Sequence, residues 1–276
     1  MMMVVLKREL SLKNKLSFKV IPLLKYKHFI KSDDADWITF IHGAGGSSTI
    51  WHKQVKVLKE HFNLLLIDLR GHGMSNDMPV QSDYSLDIVV EEVVEVIQHL
   101  KIKKSHFIGV SLGTIIITKI SDLYPSLINK VILSGAITSF STRTLFLLRT
   151  AQAIKGFTPN IILYRLFALI IMPSKEHRVS RRVFINEAKK IKNRAFQNWL
   201  RLLPEIKHTI DDVSKLKLSK PTLFISGIED YLFVRQIEEY VKDKSNCFLE
   251  KVNNSGHIVN IDQHQVFNTF ALKFLK

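Results

Sequence analysis

Three side chains in this sequence have the types and surroundings needed for nucleophilic attack on a carbonyl carbon. Ser111 sits in Gly109-Val110-Ser111-Leu112-Gly113, between an apolar run that reads as a strand, His106 to Ile108, and an apolar helical stretch beginning near Leu112. A GxSxG sequence between strand and helix puts its serine on a tight turn. The flanking glycines avoid side-chain clashes there, and free N–H groups of the helix point toward the serine oxygen. A serine hydroxyl is a weak nucleophile at neutral pH and needs a base oriented by a third group. His257 follows the run Cys247 to Val252 in Asn254-Ser255-Gly256-His257, and Asp230 follows Thr222 to Ser226 in Gly227-Ile228-Glu229-Asp230. The chain order serine, acid, histidine fits a triad in which His257 is the base and Asp230 its orienting acid. Glu229 is the rival acid in the same turn.

Negative charge developing on the attacked carbonyl oxygen needs preorganised N–H donors. Leu112 N–H, next to the serine, is one candidate. The second is Ala44 N–H in the loop His42-Gly43-Ala44-Gly45-Gly46-Ser47. That loop invites another reading, because Gly43, Gly45 and Ser48 approximate a dinucleotide fingerprint, with Asp68 about 20 residues on in the position of a ribose ligand. Its third glycine is absent and the loop follows two strands instead of the first, so no cofactor is expected. No metal is expected either. Cys247 is the only cysteine, which excludes a cysteine-based zinc site and an internal disulfide.

The elements that must hold these groups are legible as short apolar or alternating runs. Strands are expected at Leu16 to Val20, Tyr26 to Ile30, Trp37 to Ile41, Leu64 to Asp68, His106 to Ile108, Val131 to Leu133, Thr222 to Ser226 and Cys247 to Val252. From the third onward, helix-period stretches alternate with them, for example Val89, Val93, Val96, Ile97 and Leu100 after a candidate N-cap at Ser85. The pattern predicts an α/β fold with a mostly parallel eight-stranded sheet flanked by helices, whose chemistry lies at the carboxyl ends of the strands. The alternation lapses between Ile137 and Lys220. That stretch reads as helical, with breaks at Pro159, Pro173 and Pro204. The organisation is therefore a core of residues 1–136 and 221–276 with an inserted helical cap, 137–220.

The formal net charge of +15 is concentrated in the same stretch. Lys and Arg number 17 there against 5 Asp and Glu, while the remainder holds 23 against 20, from totals of 40 and 25. Without a binding motif, this argues for a solvated basic face or contact with an anionic surface more than for a nucleic-acid partner. Apolar cap residues, with Phe146, Leu166 and Phe167 among them, are expected to line an acyl pocket, and Arg143, Arg149 and Arg165 to face water or an anionic surface. The longest apolar stretch, Ile161 to Met172, is interrupted by Arg165 and is too short to span a bilayer. Met1 to Leu6 reaches Lys7 and Arg8 too early for a secretory signal. A cytoplasmic location is expected, and peripheral membrane contact through the basic cap is compatible with it.

The motif-bearing segments resemble the α/β-hydrolase superfamily, in particular its small cap-bearing members with a His-Gly-x-Gly loop. The likeness runs from about Trp37 to Ile137 and from Lys220 to the end. Its further marks are Trp51, the run Asp68-Leu69-Arg70-Gly71-His72-Gly73-Met74-Ser75, Tyr124-Pro125, and Pro221 before the seventh strand. The resemblance implies an antiparallel edge from the first two strands and a structural, non-catalytic turn at Asp68, Arg70 and His72. Thr114 departs from the pattern, since relatives often carry a further glycine there. The activity implied is a serine hydrolase cleaving a small-molecule carboxylic ester, lactone or thioester through an acyl-enzyme, the substrate bearing an apolar acyl or an anionic group. Alternatives are hydrolysis or elimination at a carbon–carbon bond on the same triad, and a ligand-binding member with slow turnover.

Overall fold

The structure is a computed structural model and describes residues 22–78, 84–154, 157–213 and 218–276. Among these, seven strands form one sheet: β1 (Tyr26–Phe29), β2 (Trp37–Ile41), β3 (Asn63–Ile67), β4 (Ser105–Val110), β5 (Ile128–Ser134), β6 (Thr222–Gly227) and β7 (Cys247–Val252). The spatial order is β1-β3-β2-β4-β5-β6-β7. β1 runs antiparallel to β3 at one edge, and all other pairings are parallel. The expected strand Leu16 to Val20 lies outside the described residues, as does Gly156 in the basic stretch.

The central strands are largely apolar because both faces of the sheet are covered. Period-two alternation divides them between two cores. Leu65, Ile67, Phe107, Val131, Leu133 and Phe224 pack on one side with α2 (Leu86–His99), α3 (Leu112–Leu123) and α9 (Val234–Val241). Ile38, Phe40, Leu64, Leu66, Ile108, Ile132 and Ile225 pack on the other with Trp51, α1 (His52–Leu58), α10 (Val259–Asp262) and α11 (His264–Leu275). Ser85 caps α2 as its sequence predicts, its hydroxyl accepting from Ile88 N–H at 3.3 Å.

The basic stretch carries five helices: α4 (Thr142–Ile154), α5 (Asn160–Ile171), α6 (Arg178–Ala188), α7 (Asn193–Arg201) and α8 (Leu203–Val213). Pro159 stands at the N-cap of α5, Pro173 just past its end, and Pro204 in the first turn of α8, positions where proline's missing N–H costs no intrahelical bond. Specific polar contacts fix these helices on the sheet. Trp199 Nε1 donates to Arg70 O at 3.1 Å, and Glu205 accepts from Leu86 N–H at 3.0 Å, compensating the positive end of α2. His257 N–H reaches the carbonyl of Ile171 at 3.3 Å, tying the end of α5 to the loop after β7. Among the described residues, no helix is long and apolar enough to cross a membrane.

Candidate active site

Ser111 occupies the turn between β4 and α3 with φ 53° and ψ −119°. A residue with a Cβ pays for positive φ, here about 1–3 kcal/mol, and such strain persists only where the surroundings enforce it. They do so through a close approach of backbones. At Gly113, the second residue of α3, a Cβ would lie 2.2 Å from the carbonyl oxygen of Ile41 in β2. Only glycine lets the helix sit that near the strand. Ser111 N–H continues the sheet by donating to Ser134 O at 3.1 Å. Thr114, the departure from the expected glycine, fits without disturbing the packing. Its hydroxyl donates to Ser111 O at 2.6 Å and accepts from Ile137 N–H at 3.4 Å, joining the turn to the loop after β5.

Asp230 and His257 follow β6 and β7 and meet beside this turn. Asp230 Oδ2 accepts from His257 Nδ1 at 2.8 Å, and both residues are buried. This bond fixes the tautomer with the proton on Nδ1, so His257 Nε2, which is buried without a hydrogen-bond partner, presents a free lone pair. The Phe233 ring lies 5.2 Å from the imidazole and screens it from water. Glu229, the rival acid, turns elsewhere. Its carboxylate takes the Ser174 hydroxyl and lies 3.7 Å from His177 Nε2.

The loop after β2 is held by the run that follows β3. Asp68 accepts from Ser48 N–H at 2.6 Å and from Met74 N–H at 2.9 Å. Its carboxylate is thus committed to the backbone, which removes the ribose ligand that a dinucleotide reading requires. His42 Nε2 accepts from Leu69 N–H and His72 Nε2 from Gly45 N–H, each at 3.1 Å. Each Nδ1 therefore carries a proton, donated to Gly43 O by His42 and to Arg70 O by His72. Burial keeps both imidazoles neutral, pushing His72 down to about 3 and lowering His42 against the pull of Asp68. Deeper in, Arg70 pairs with Glu92 at 2.5 Å, and Tyr84 donates to the other Glu92 oxygen at 3.2 Å. Burial raises the Glu92 carboxyl even against Arg70.

Two cavities meet at Ser111. The larger, about 210 Å³, is bounded by Ala44, Leu112, Phe140, Leu148, Phe167 and Trp199 among others, and no Asp, Glu, His, Lys or Arg lines it. The smaller, about 40 Å³, is bounded by Gly43, Ala44, Ser111, His257 and Glu187. Ala44 and Leu112, the expected oxyanion donors, share the larger cavity with Ser111. Leu112 opens α3, so its N–H has no partner within the helix. Phe167 lines the cavities as expected, whereas Phe146 and Leu166 are 69% and 49% exposed and face away. Leu148 and Leu163 take the inner positions instead. Glu187 was not singled out in sequence. Burial opposes its ionisation, but Lys190, Ser47 and Thr49 outweigh burial and hold its carboxyl below the ordinary value. An isolated glutamate in a basic helix carries no signal that it will reach a serine loop 140 residues away.

A seven-stranded sheet with this order, and a serine at the turn after its central strand, define the α/β-hydrolase fold. The family profile for the alpha/beta hydrolase fold matches residues 36–163. The chain is 26% identical over 257 residues to an Agrobacterium fabrum protein provisionally named carbamate hydrolase RutD, covering 88% of this chain and 94% of that one. It is likewise 26% identical to a Haemophilus influenzae protein provisionally named esterase/lipase, over 87% of this chain and 84% of the other. Among solved structures, MGS-M2, an alpha/beta hydrolase enzyme from a deep-sea metagenome library, superposes with a TM-score of 0.76 at 21% identity, over 91% of this chain and 94% of that chain. The chain has the α/β-hydrolase fold, and its residues 36–163 carry that family's profile.

Proposed function

We propose that the protein is a serine hydrolase that cleaves carboxylic esters with an apolar acyl group and a small alcohol. Ser111 Oγ attacks the carbonyl carbon while His257 Nε2 takes its proton, and Asp230 stabilises the imidazolium. Ala44 and Leu112 N–H groups receive the oxyanion. The bond to the leaving oxygen then breaks, and His257 returns the proton to the departing alcohol. Water attacks the resulting acyl-enzyme, giving one proton to His257 and releasing the acid as Ser111 regains its hydrogen.

The observation that carries this reading is the pairing of an orphan, Asp230-oriented Nε2 with a strained serine at the junction of two unequal cavities. His257 lines the smaller cavity and not the larger. The group that must receive its proton therefore belongs on the small side, and the acyl chain on the large, uncharged side. The ionised Glu187 carboxylate on the small side disfavours anionic leaving groups, including thioesters of phosphorylated carriers. We infer that residues 137–220 act as a cap that sets this choice. A cytoplasmic setting suits the single cysteine, which is buried and free.

The test is a hydrolysis screen in which acyl length and alcohol size vary independently, with lactones and acyl thioesters alongside, on wild type and Ser111→Ala. Burying a methylene contributes about 0.8 kcal/mol, so kcat/KM should rise roughly fourfold per carbon until the large cavity fills, and fall as the alcohol grows. Ser111→Ala should abolish turnover. Flat or reversed preferences would reject the cavity assignment, and cleavage confined to carbon–carbon bonds would replace the ester reading.

A further inference from the structure

Helices α4 and α5 have apolar side chains on both faces, an unusual arrangement for helices at the surface of a water-soluble domain. Their inner positions, Leu148, Leu163 and Phe167, line the large cavity. Their outer positions follow helical spacing. On α5, Ile162, Leu166, Leu169 and Ile170 are exposed, Leu169 to 54%, and on α4 Phe146 is exposed between Arg143 and Arg149. Phe157, in the turn between the two helices, is 93% exposed. Single exposed apolar residues are ordinary, whereas clustered ones mark an interaction surface.

Charge identifies the partner. Arg143, Arg149 and Arg165 are exposed on these two helices, and among the described residues none of them makes an ion pair. From Leu123 to Lys175 the chain contains no Asp or Glu. A second copy of the chain on this face would set arginine against arginine, and a neutral apolar partner would leave three cations unanswered. Large apolar side chains rimmed by arginines, on helices that carry no acid of their own, match the interfacial zone of an anionic bilayer. There apolar groups enter the acyl boundary and guanidinium groups meet lipid phosphates.

We propose that the outer face of α4 and α5, with Phe157, docks on anionic lipid bilayers. The large cavity lies directly behind those helices, so apolar acyl substrates held in the bilayer would be close to Ser111. That delivery step rests on the ester reading above, whereas the docking does not.

The experiment is flotation of the full chain with vesicles of phosphatidylcholine, alone or mixed with phosphatidylglycerol, at low and high salt. The variants are Phe146→Ser with Phe157→Ser, and Arg143→Gln with Arg149→Gln and Arg165→Gln. All these side chains are exposed, and none lies in the catalytic machinery. Wild type should bind the mixed vesicles and detach as salt rises. The phenylalanine pair should weaken binding by roughly tenfold or more, and the arginine triple by roughly a hundredfold. Both variants should still hydrolyse a water-soluble ester at the wild-type rate, which separates loss of docking from failure of the ester reading. Docking is overturned if wild type ignores mixed vesicles, if binding is indifferent to salt, or if the variants bind equally. It is also overturned if the chain dimerises through this face, seen as a phenylalanine variant that turns monomeric while wild type binds no vesicles.

Discussion

Two adjacent carboxylates, Glu229 and Asp230, leave β6 in the same turn, and their geometry separates them by partner. Asp230 is fully buried, with Oδ2 on His257 Nδ1, while Glu229 contacts Ser174 and His177 from the helical stretch. An amide at position 230 cannot stabilise an imidazolium and would favour the wrong tautomer. Asp230→Asn should therefore lower kcat by roughly ten-thousandfold in steady-state ester hydrolysis. Glu229→Gln keeps the His257 contact intact and should cost less than roughly tenfold. The reverse ranking would move the orienting role to Glu229. At this scale the sequence says most about groups whose position is set by a strand end. Ser111, Asp230 and His257 each lie within a few residues of a strand that periodicity reveals, so their convergence follows from strand order. Glu187 lies on a helix whose place depends on tertiary packing alone, and nothing in its local sequence announces contact with Ser47.

The loop after β2, proposed to receive the oxyanion, is held by the run after β3, and the histidines of the two segments make it sensitive to acid. In the unfolded chain His72 titrates at its ordinary value of 6.5, whereas in the folded protein it stays neutral until about pH 3. Between those values the unfolded chain binds more protons, so stability falls as pH drops from about 6.5 toward 3. His42, also lowered, acts in the same direction. Urea unfolding should show a loss of about 1.4 kcal/mol per pH unit from His72 alone once pH is well below 6.5. His72→Asn should take up about one proton fewer on unfolding. Equal slopes for the two proteins, or a stability unchanged from pH 7 to 5, would contradict the neutral, doubly bonded imidazole. Element positions were mostly legible because buried parallel strands are continuously apolar and the helices between them are amphipathic. The exception is the inner face of α4 and α5. With apolar residues on every side, their period cannot separate the face toward Ser111 from the face toward solvent, so Phe146 and Leu166 read as pocket residues and prove to be exposed.

For the whole molecule, the sheet carries the proposed reacting groups and the basic helical stretch walls the cavities beside them. The anchoring contacts connect the two directly to the chemistry. Ile171 O holds the backbone of His257, Glu187 holds Ser47 beside the loop after β2, and Trp199 holds Arg70 behind it. On the proposed mechanism, a shift of these helices would move the base and the loop after β2 together and so couple substrate choice to catalytic alignment. All of this depends on Ser111 being the nucleophile. The most direct measurement is labelling with a serine-directed fluorophosphonate, read by intact mass and peptide mapping on wild type and Ser111→Ala. One adduct per chain, mapped to Ser111 and absent from Ser111→Ala, is the predicted result. An adduct on another residue, or undiminished labelling of Ser111→Ala, would contradict it.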